Sequence, residues 1–308
     1  MDKKSICAVV VTYNRKVLLL RCLQALEKQS YSLEHIVVVD NASTDGTVDF
    51  LRQHGYLDDS NVTLLNLTEN QGGAGGFHAG IKFAYEQGYD YIWLMDDDGV
   101  PDNTCLKELV KFIKDDNYIG PLVLDIDHPL DLTFTLRLPK TNKVLSNLND
   151  IKQFDQIIPD IVMPFNGILF SRNVVNKIGL PKKDYFIWGD DMEYTWRASK
   201  FDINIYTVIS AKFFHPREKT LGTPMFFNML KFNDTDSKIK LYCMCRNNIR
   251  NLIEYKGRLI ALFFCFKVFW FYLFTKFNLS KLKIAIKGII AGIKSNFIEH
   301  KYYLSEYE

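Results

Sequence analysis

The sequence lacks most features that mark secreted, disulfide-stabilised or zinc-binding proteins. Its 308 residues include six cysteines, whose spacing matches no zinc-binding pattern, so we expect them to be reduced thiols. It contains no internal repeat and no low-complexity segment. The first apolar run, residues 6–11, is too short for the hydrophobic region of a signal peptide. We therefore expect the main body of the chain to be cytoplasmic.

The chain also lacks an excess of charge of either sign. Its formal net charge is +2, so we expect no nucleic-acid partner. That near-balance hides one strongly basic segment, since residues 256–301 carry nine Lys and Arg side chains and a single acid, Glu299. A chain of this length can bury one large α/β core plus a smaller appendage.

Four short apolar runs in the first hundred residues predict the strands of an α/β sheet. They cover residues 6–11, 36–39, 62–67 and 91–95, and helical patterns separate them. Strands that alternate with helices are typical of βαβ units, whose strands run parallel. The predicted fold class is therefore α/β with a nucleotide-binding sheet and flanking helices.

Polar side chains follow each predicted strand. Thr12 and Asn14 come after the first run, Asp40 after the second, Asn70 after the third and Asp96–Asp98 after the fourth. In an open α/β sheet, ligands bind at the carboxyl ends of the strands. The repeated pattern predicts a ligand site at that edge.

Three adjacent carboxylates are costly to place beside a buried strand. Asp96, Asp97 and Asp98 repel one another and lose hydration there, so a cation is expected to neutralise them. Hard oxygen ligands suit Mg²⁺ or Mn²⁺, which commonly bind together with a phosphate. The alternative is an acidic, solvated turn.

A glycine cluster covers residues 70–80. It is not a Rossmann fingerprint, which would follow the first strand, and it lacks the Gly-Lys-Ser/Thr ending of a Walker loop. Backbone amides around Asn70, Gly72 and Gly73 could hold a diphosphate next to a helix N-terminus. A flexible surface turn is the alternative.

Together these segments resemble family-2 glycosyltransferases of the GT-A fold. The resemblance rests on residues 10–15, on residues 39–47 and on the acidic triplet, and it covers about residues 5–220. The glycine cluster combined with the triplet is similar to bacterial galactofuranosyltransferases and to rhamnosyltransferases. This narrower likeness implies a sugar nucleotide as donor.

The resemblance assigns roles to individual residues. It implies that Asp40 binds the nucleotide base and that Asp96 and Asp98 hold the metal. The resemblance also implies further donor-binding residues, which are Thr12, Asn14, Arg15, Asn70, Gly72, Gly73, Asp97, Asn166, Gly167 and Trp188. For the turn at Asn166-Gly167, a purely structural role is the alternative.

Residues 186–197 resemble the acidic motif that carries the catalytic base of the family. The resemblance implies that Asp191 is the base and that Asp190 positions it or binds a sugar hydroxyl. For Glu193 we expect a structural role in an ion pair with Arg197, four residues on. His215 is implied as a third metal ligand, which would favour Mn²⁺ over Mg²⁺.

These roles predict an inverting, metal-dependent hexosyltransferase. UDP-galactofuranose is the favoured donor and dTDP-rhamnose the alternative, with a lipid-linked saccharide as acceptor. A nucleotidyltransferase-like protein is a second alternative. It would carry a glycine-rich loop with Arg or Lys after the first strand, where this chain has Thr12-Tyr13-Asn14-Arg15.

We predict a catalytic domain over residues 1–220 and a helical region over 221–308. Residues 259–274 are apolar but short for a membrane span, with Lys267 in their middle. A basic amphipathic helix follows at 280–297, with Leu282 and Ile289 on its apolar face. Such a region is typical of peripheral attachment to an anionic membrane, here at its cytoplasmic face. The alternatives are packing on its own domain or an interface in a homo-oligomer.

Overall fold

The structure is a computed structural model that describes residues 4–217 and 222–306. These residues form two compact units. The first contains residues 4–181 and 197–217, and the second contains 182–196 and 222–306. Segment 182–196 thus groups with the C-terminal helices. The predicted boundary between residues 220 and 221 lies outside the described residues and stays a prediction.

The first unit is built on a mixed sheet of eleven strands. Its main path has the order β3-β2-β1-β4-β10-β6-β11-β5, with β7 and β8 attached to β6 and β9 attached to β11. The strands are β1 (Ile6–Thr12), β2 (His35–Asp40), β3 (Val62–Asn66), β4 (Tyr91–Asp96), β5 (Val100–Pro101), β6 (Asn117–Asp125), β7 (Asp131–Arg137), β8 (Val144–Asn147), β9 (Ile157–Pro159), β10 (Asn166–Ser171) and β11 (Asn204–His215).

The four predicted strands form the parallel half of this sheet, β3-β2-β1-β4. Strand β1 is buried along its whole length, as expected for a parallel strand with helices on both faces. The helices are α1 (Lys16–Glu27), α2 (Thr47–Gln53), α3 (Gly72–Glu86), α4 (Cys105–Val110), α5 (Leu148–Ile151), α6 (Arg172–Ile178) and α7 (Asp190–Lys200), the last of which begins in the second unit. The architecture confirms the predicted α/β class.

The glycine cluster forms the first turns of helix α3, although we predicted a ligand-binding loop or a surface turn. A Cβ atom on Gly76 would lie 2.5 Å from Val11, and one on Gly80 would lie 2.3 Å from Val9. The glycines, four residues apart on one face, therefore let α3 approach β1 closely. Gly72 has φ of +69°, a value that favours glycine.

The second unit is helical around its own apolar core. A short 3₁₀ turn, Lys183–Tyr185, leads toward α7. The other elements are a hairpin of β12 (Thr223–Met225) and β13 (Leu230–Phe232), α8 (Lys238–Tyr255), α9 (Arg258–Trp270), a π-helical turn at Phe271–Thr275, α10 (Leu279–Ile293) and a 3₁₀ segment at Glu299–Glu306.

Helix α10 packs closely on α8. A Cβ atom on Gly288 would lie 2.5 Å from the carbonyl oxygen of Tyr242, so the two helices touch at a small residue. Leu282 and Ile289, which we assigned to a membrane-facing stripe, are buried. The alternative, packing on its own domain, therefore describes these two residues better, whereas Ile290 and Ile293 of the same helix are exposed.

Within the described residues, one helical stretch is long and apolar enough to cross a membrane by length and composition. It is Arg258–Thr275, with a mean hydropathy of 1.7 and 22% of its residues buried. Helix α9 and the π-helical turn form this stretch.

Candidate active site

The carboxyl ends of three parallel strands lie side by side. In the register of the sheet, Thr12 is paired with Asp40, and Val11 is paired with Asp96. The acidic triplet therefore begins beside the end of β1. This places the predicted donor and metal residues from three separate segments along one edge, as the strand pattern predicts.

A tight turn carries the triplet toward β11. The amide of Gly99 donates to the carbonyl of Asp96 at 3.3 Å, and the chain then enters β5, which pairs antiparallel with Phe213 and Phe214. A Cβ atom on Gly99 would lie 2.3 Å from the ring of Phe213. The close approach requires glycine and brings Asp98 to the end of β11, where His215 lies.

Arg15 and Thr12 partly neutralise the triplet. Arg15 Nη1 lies 2.9 Å from Asp98 Oδ2 and 3.5 Å from Asp97 Oδ1, and Thr12 donates its hydroxyl to Asp97 Oδ2 at 2.7 Å. Asp97 is buried, and burial raises its pKa to about 6 although Thr12 and Arg15 act in the opposite direction. The residual charge favours a further cation here.

Asp98 and His215 form the centre of the predicted metal site. His215 Nε2 lies 3.0 Å from Asp98 Oδ1. That oxygen is buried, and it lacks a hydrogen bond of normal geometry. Burial opposes both charges, but mutual attraction prevails: the pKa of Asp98 is lowered, and that of His215 is raised.

The chemistry of this pair fits Mn²⁺ or Mg²⁺. It offers a carboxylate oxygen and an imidazole nitrogen, and a cation bound here would replace the imidazolium proton that faces Asp98 Oδ1. In the described residues no three His, Cys, Asp or Glu side chains form a ready-made metal cluster. Asp96, the other predicted ligand, ends β4 but does not join Asp98 and His215 in such a group. The assignment of all three as ligands stays a prediction.

Asp40 and Asn70 point to a polar ligand on the other side of the edge. Asp40 Oδ1 accepts from the amide of Ser43 at 3.0 Å, while its buried Oδ2 has no hydrogen bond. Asn70 Oδ1 accepts from Asn41 and from the amide of Gly72, while its buried Nδ2 has none. A buried polar group without a partner is rare in native proteins, so a ligand is the simplest explanation.

Asn41 is a residue of this edge that the sequence patterns did not identify. Its Nδ2 donates to Asn70 Oδ1 at 3.1 Å and to the carbonyl of Gly72 at 2.9 Å, while its Oδ1 accepts from the amide of Gln71. Asn41 thus fixes the start of α3 against the end of β2. Its position directly after Asp40 was the available signal.

The remaining predicted donor residues of the first unit lie near the same strands. Asn14 has φ of 54° and accepts from the amide of Thr44 at 2.7 Å. Gly73 faces open space at the start of α3. Asn166 and Gly167 begin β10, which pairs antiparallel with β4, and the carbonyl of Gly167 accepts from Trp93.

The predicted base and its neighbours belong to the second unit. Asp190 and Asp191 open α7, and Asp191 Oδ1 accepts from the amide of Met192 at 2.7 Å. Burial and mutual repulsion raise the pKa of Asp190 to about 8, and burial also raises that of Asp191. Trp188 precedes them with φ of 64°. Both carboxylates are therefore more basic than ordinary aspartates, as a general base requires.

Glu193 has structural contacts. Its carboxylate is fully buried, lies 2.9 Å from Lys182 Nζ and accepts from the hydroxyl of Tyr255 at 2.7 Å. Arg197 donates to the carbonyls of Ile178 and Leu180. These contacts support a structural role for Glu193, with partners that include residues other than the expected Arg197.

Comparison with known proteins gives one family and several relatives. The sequence model described as "Glycosyl transferase family 2" matches residues 7–179. Galactofuranosyltransferase GlfT1 of Mycolicibacterium smegmatis is 28% identical over 298 residues, which is 95% of this chain and 97% of that protein. GlfT1 of Mycobacterium tuberculosis (strain CDC 1551 / Oshkosh) is 30% identical, covering 89% and 90%. The dTDP-rhamnosyl transferase RfbF of Shigella flexneri is 25% identical, covering 68% and 69%.

Solved structures share the fold. The crystal structure of S. aureus TarS 1-349 aligns with a TM-score of 0.61 at 15% identity, covering 95% of this chain and 82% of that one. The mannosyltransferase PcManGT from Pyrobaculum calidifontis, in complex with GDP-Man and Mn²⁺, aligns with a TM-score of 0.55 at 16% identity, covering 99% and 79%. These likenesses confirm the predicted GT-A fold class.

The geometry of the pair predicts how His215 titrates in metal-free protein. The carboxylate of Asp98 stabilises the imidazolium, so Asp98→Asn should lower the pKa of His215 from above the ordinary value of about 6.5. Because the pKa of His215 is raised in the folded protein, protonation of His215 stabilises the fold fully at pH values below the ordinary histidine pKa. This contribution is lost as the pH rises through the pKa of the folded state. NMR titration of the imidazole resonances measures it.

His35 is the internal control. Burial lowers its pKa, and its ring stacks near Tyr89, so its titration should be the same in both proteins. An unchanged pKa of His215 in Asp98→Asn would contradict the pairing.

Proposed function

Because the chain belongs to glycosyl transferase family 2, we propose that it transfers galactofuranose from UDP-galactofuranose to a hydroxyl of a lipid-linked saccharide. The reaction inverts the anomeric configuration and uses Mn²⁺ or Mg²⁺. Two relatives that carry the name galactofuranosyltransferase match most of the chain, which supports this donor. The similarity to a dTDP-rhamnosyl transferase supports dTDP-rhamnose as the alternative. Family membership favours glycosyl transfer over the nucleotidyltransferase alternative.

The proposal rests on three buried polar atoms at the carboxyl edge of the sheet that make no hydrogen bond to the described residues, although one of them has an ion-pair partner. They are Asp40 Oδ2, Asn70 Nδ2 and Asp98 Oδ1, the last of which lies 3.0 Å from His215 Nε2. A pyrimidine base offers an N–H donor for the first, and diphosphate or ribose oxygens offer acceptors for the second. A divalent cation satisfies the third. A nucleotide-sugar with its metal would therefore supply a partner for each of the three atoms.

We assign Asp98 and His215 to hold the metal, with Asp96 beside them at the end of β4. When bound, the cation stabilises the negative charge of the departing nucleoside diphosphate. Arg15 lies on the same carboxylates. Its guanidinium can turn from the carboxylates toward phosphate, because bidentate phosphate binding suits its planar fork.

Asp191 acts as the general base. The acceptor hydroxyl oxygen attacks the anomeric carbon, the bond from that carbon to the diphosphate oxygen breaks, and Asp191 takes the hydroxyl proton. A single displacement inverts the configuration. The raised pKa of Asp191 suits this task, because burial makes its carboxylate a stronger base than an ordinary aspartate.

The second unit provides a surface for membrane attachment. Large apolar side chains, many of them aromatic, are exposed on this unit. They include Leu259, Ile260, Leu262, Phe263, Phe266 and Phe269 on α9, Phe274 and Phe277 after it, and Phe227 and Met229 in the hairpin. An exposed apolar surface of this kind marks an interaction site. We propose that it lies in the headgroup region of an anionic bilayer, because exposed lysines adjoin it.

The length and charge of the helical stretch Arg258–Thr275 favour attachment to the membrane surface over crossing the membrane. Eighteen residues of helix extend about 27 Å, whereas the hydrocarbon core is about 30 Å thick. Lys267 would lie at its centre, where a cation costs about 3 kcal/mol. On α10, Lys283 and Lys287 are exposed and suited to lipid phosphates. Lys281 is not, because its Nζ lies 3.0 Å from Asp234.

The first prediction from this function concerns turnover. With Mn²⁺, the protein should transfer galactofuranose from UDP-galactofuranose to a lipid-linked acceptor mimic, and excess chelator should abolish transfer. Asp191→Asn should lower kcat by ~10² to 10⁴ with donor affinity nearly unchanged, because only the general base is lost. A donor panel read by mass spectrometry, with NMR of the product anomer, measures these effects.

Asp58→Asn, an exposed carboxylate of the first unit, is the matched control and should behave as wild type. Preference for dTDP-rhamnose in the panel would select the alternative donor. Full turnover in chelator, or a product with retained configuration, would refute the proposed mechanism.

The second prediction concerns the membrane. Wild-type protein should bind vesicles of phosphatidylglycerol and phosphatidylcholine with an affinity that falls with salt. Changing both Lys283 and Lys287 to Glu should weaken binding by roughly fivefold or more per lysine, since each is worth about 1 kcal/mol near an anionic surface. Vesicle co-sedimentation measures the affinity.

The control changes Lys28 and Lys107 to Glu, which alters the net charge equally on exposed positions of the first unit, and it should keep the wild-type affinity. If wild type shows no salt-sensitive binding and instead sediments as a dimer, the surface is a subunit interface.

A further inference from the structure

The turn that leads into the acidic pair is strained. Phe186, Trp188 and Gly189 all have positive φ, at 64°, 64° and 89°. Two of these residues carry large side chains, for which this conformation is unfavourable. Such strain persists only where neighbours hold it, and it concentrates at functional sites.

Two asparagine side chains of α8 hold the turn. Asn247 Nδ2 lies 3.0 Å from the carbonyl oxygens of Tyr185 and Ile187 and 2.6 Å from that of Trp188. Asn251 Nδ2 donates to the carbonyl of Gly189 at 2.7 Å. Together these amides bind the carbonyls of the residues that lead up to Asp190.

Each amide is oriented by another buried group. Arg246 Nε donates to Asn247 Oδ1 at 2.9 Å, and the hydroxyl of Tyr185 donates to Asn251 Oδ1 at 2.8 Å. These bonds occupy the two amide oxygens, so each NH₂ group faces the turn. Arg246 also donates from Nη2 to the carbonyls of Asp184 and Tyr185.

Arg246 is unusual as a fully buried guanidinium. Within the described residues its hydrogen-bond partners are carbonyl oxygens, Asn247, the thiol of Cys243 and His300, and none is a carboxylate. Burying a cation in this way is costly unless its donors are satisfied. Several of the Arg246 N–H groups donate to Asn247 and to the backbone carbonyls of Asp184 and Tyr185, which lie shortly before Asp190 and Asp191 in the chain.

We propose that Arg246, Asn247 and Asn251 are positioning residues that hold turn 186–189 so that Asp190 and Asp191 open α7 in the orientation needed for proton removal. This inference rests on the function proposed above, since it assigns the same pair as the base. None of the three need touch substrate. They act through the backbone of the turn.

Other charged side chains near Asp190 and Asp191 contact helix α7 rather than turn 186–189. Glu193 lies on the same helix and is neutralised by Lys182, which also lies 3.5 Å from Glu254 of α8. Tyr255 of α8 donates to Glu193. These contacts hold the flank of α7, whereas Asn247 and Asn251 hold the residues in front of it.

The test compares Asn251→Ala and Tyr185→Phe with the control Asn248→Ala. Asn248 is the half-buried neighbour of Asn247, and the bonds from asparagine side chains to the turn come from Asn247 and Asn251 among the described residues. Asn251→Ala should lower kcat at least tenfold with the donor KM within twofold, and should move the acidic limb of the kcat–pH profile. Tyr185→Phe loses only the hydroxyl that orients Asn251, so it should give a smaller effect in the same direction. Asn248→Ala should match wild type.

A second readout does not need turnover. In protein labelled with ¹³C at aspartate carboxyls, the titration of Asp190 and Asp191 should shift in Asn251→Ala and Tyr185→Phe but not in Asn248→Ala. Altered titration in a protein that transfers no sugar would refute the proposed function and leave the positioning role intact. Where Asn251→Ala does not fold, Tyr185→Phe decides. Lower thermal stability with unchanged kcat, pH profile and carboxyl titration would overturn the positioning role.

Discussion

The candidate site depends on the concentration of negative charge at the carboxyl edge of one parallel sheet. Asp97 and Asp98 lie in a tight turn, and the sheet brings Arg15, Thr12 and His215 to them. Two features bring this turn to the end of β11. Gly99 allows the close approach of Phe213, and β5 pairs with β11. Because Asp98 Oδ1 is held by its ion pair with His215 alone among the described residues, this edge supports the proposed binding of a cation and its phosphate.

The second unit also contains neighbouring buried carboxylates. Burial raises the free energy of ionisation of both Asp190 and Asp191, the charge of Asp191 adds to this effect at Asp190, and the backbone amides at the start of α7 partly compensate. The helix that fixes the preceding turn, α8, is also the one on which α10 packs. The same small unit therefore supports the acidic pair and carries an exposed apolar surface. Its fold links the proposed base to the proposed membrane attachment through α8.

Much of this arrangement could be predicted from the sequence. The buried strands read as apolar runs, and the polar residues that end them lie at one edge because parallel strands share a direction. The predicted role was wrong where one apolar or glycine-rich pattern is compatible with two different structures. Gly76 and Gly80 serve close packing on β1 rather than a loop, and Leu282 with Ile289 covers a core rather than lipid.

Long-range polar contacts were beyond such reasoning. Asn247 and Asn251 bind carbonyls about sixty residues away in the chain, and their residue type gives no indication of the partner. A lone arginine at 246 gave no sign that it is fully buried, because arginine is normally exposed.

Calorimetric titration of UDP into the protein, with Mn²⁺ and with chelator, tests most directly that the carboxyl edge of the sheet is a nucleotide–metal site. We expect saturable binding in Mn²⁺ that weakens at least tenfold in chelator, and weakens similarly when Asp40→Asn replaces the acceptor Oδ2 with an amide donor. If UDP and dTDP both fail to bind wild-type protein in Mn²⁺, or if UDP binds Asp40→Asn as tightly as wild type, the unpartnered edge atoms do not form this site.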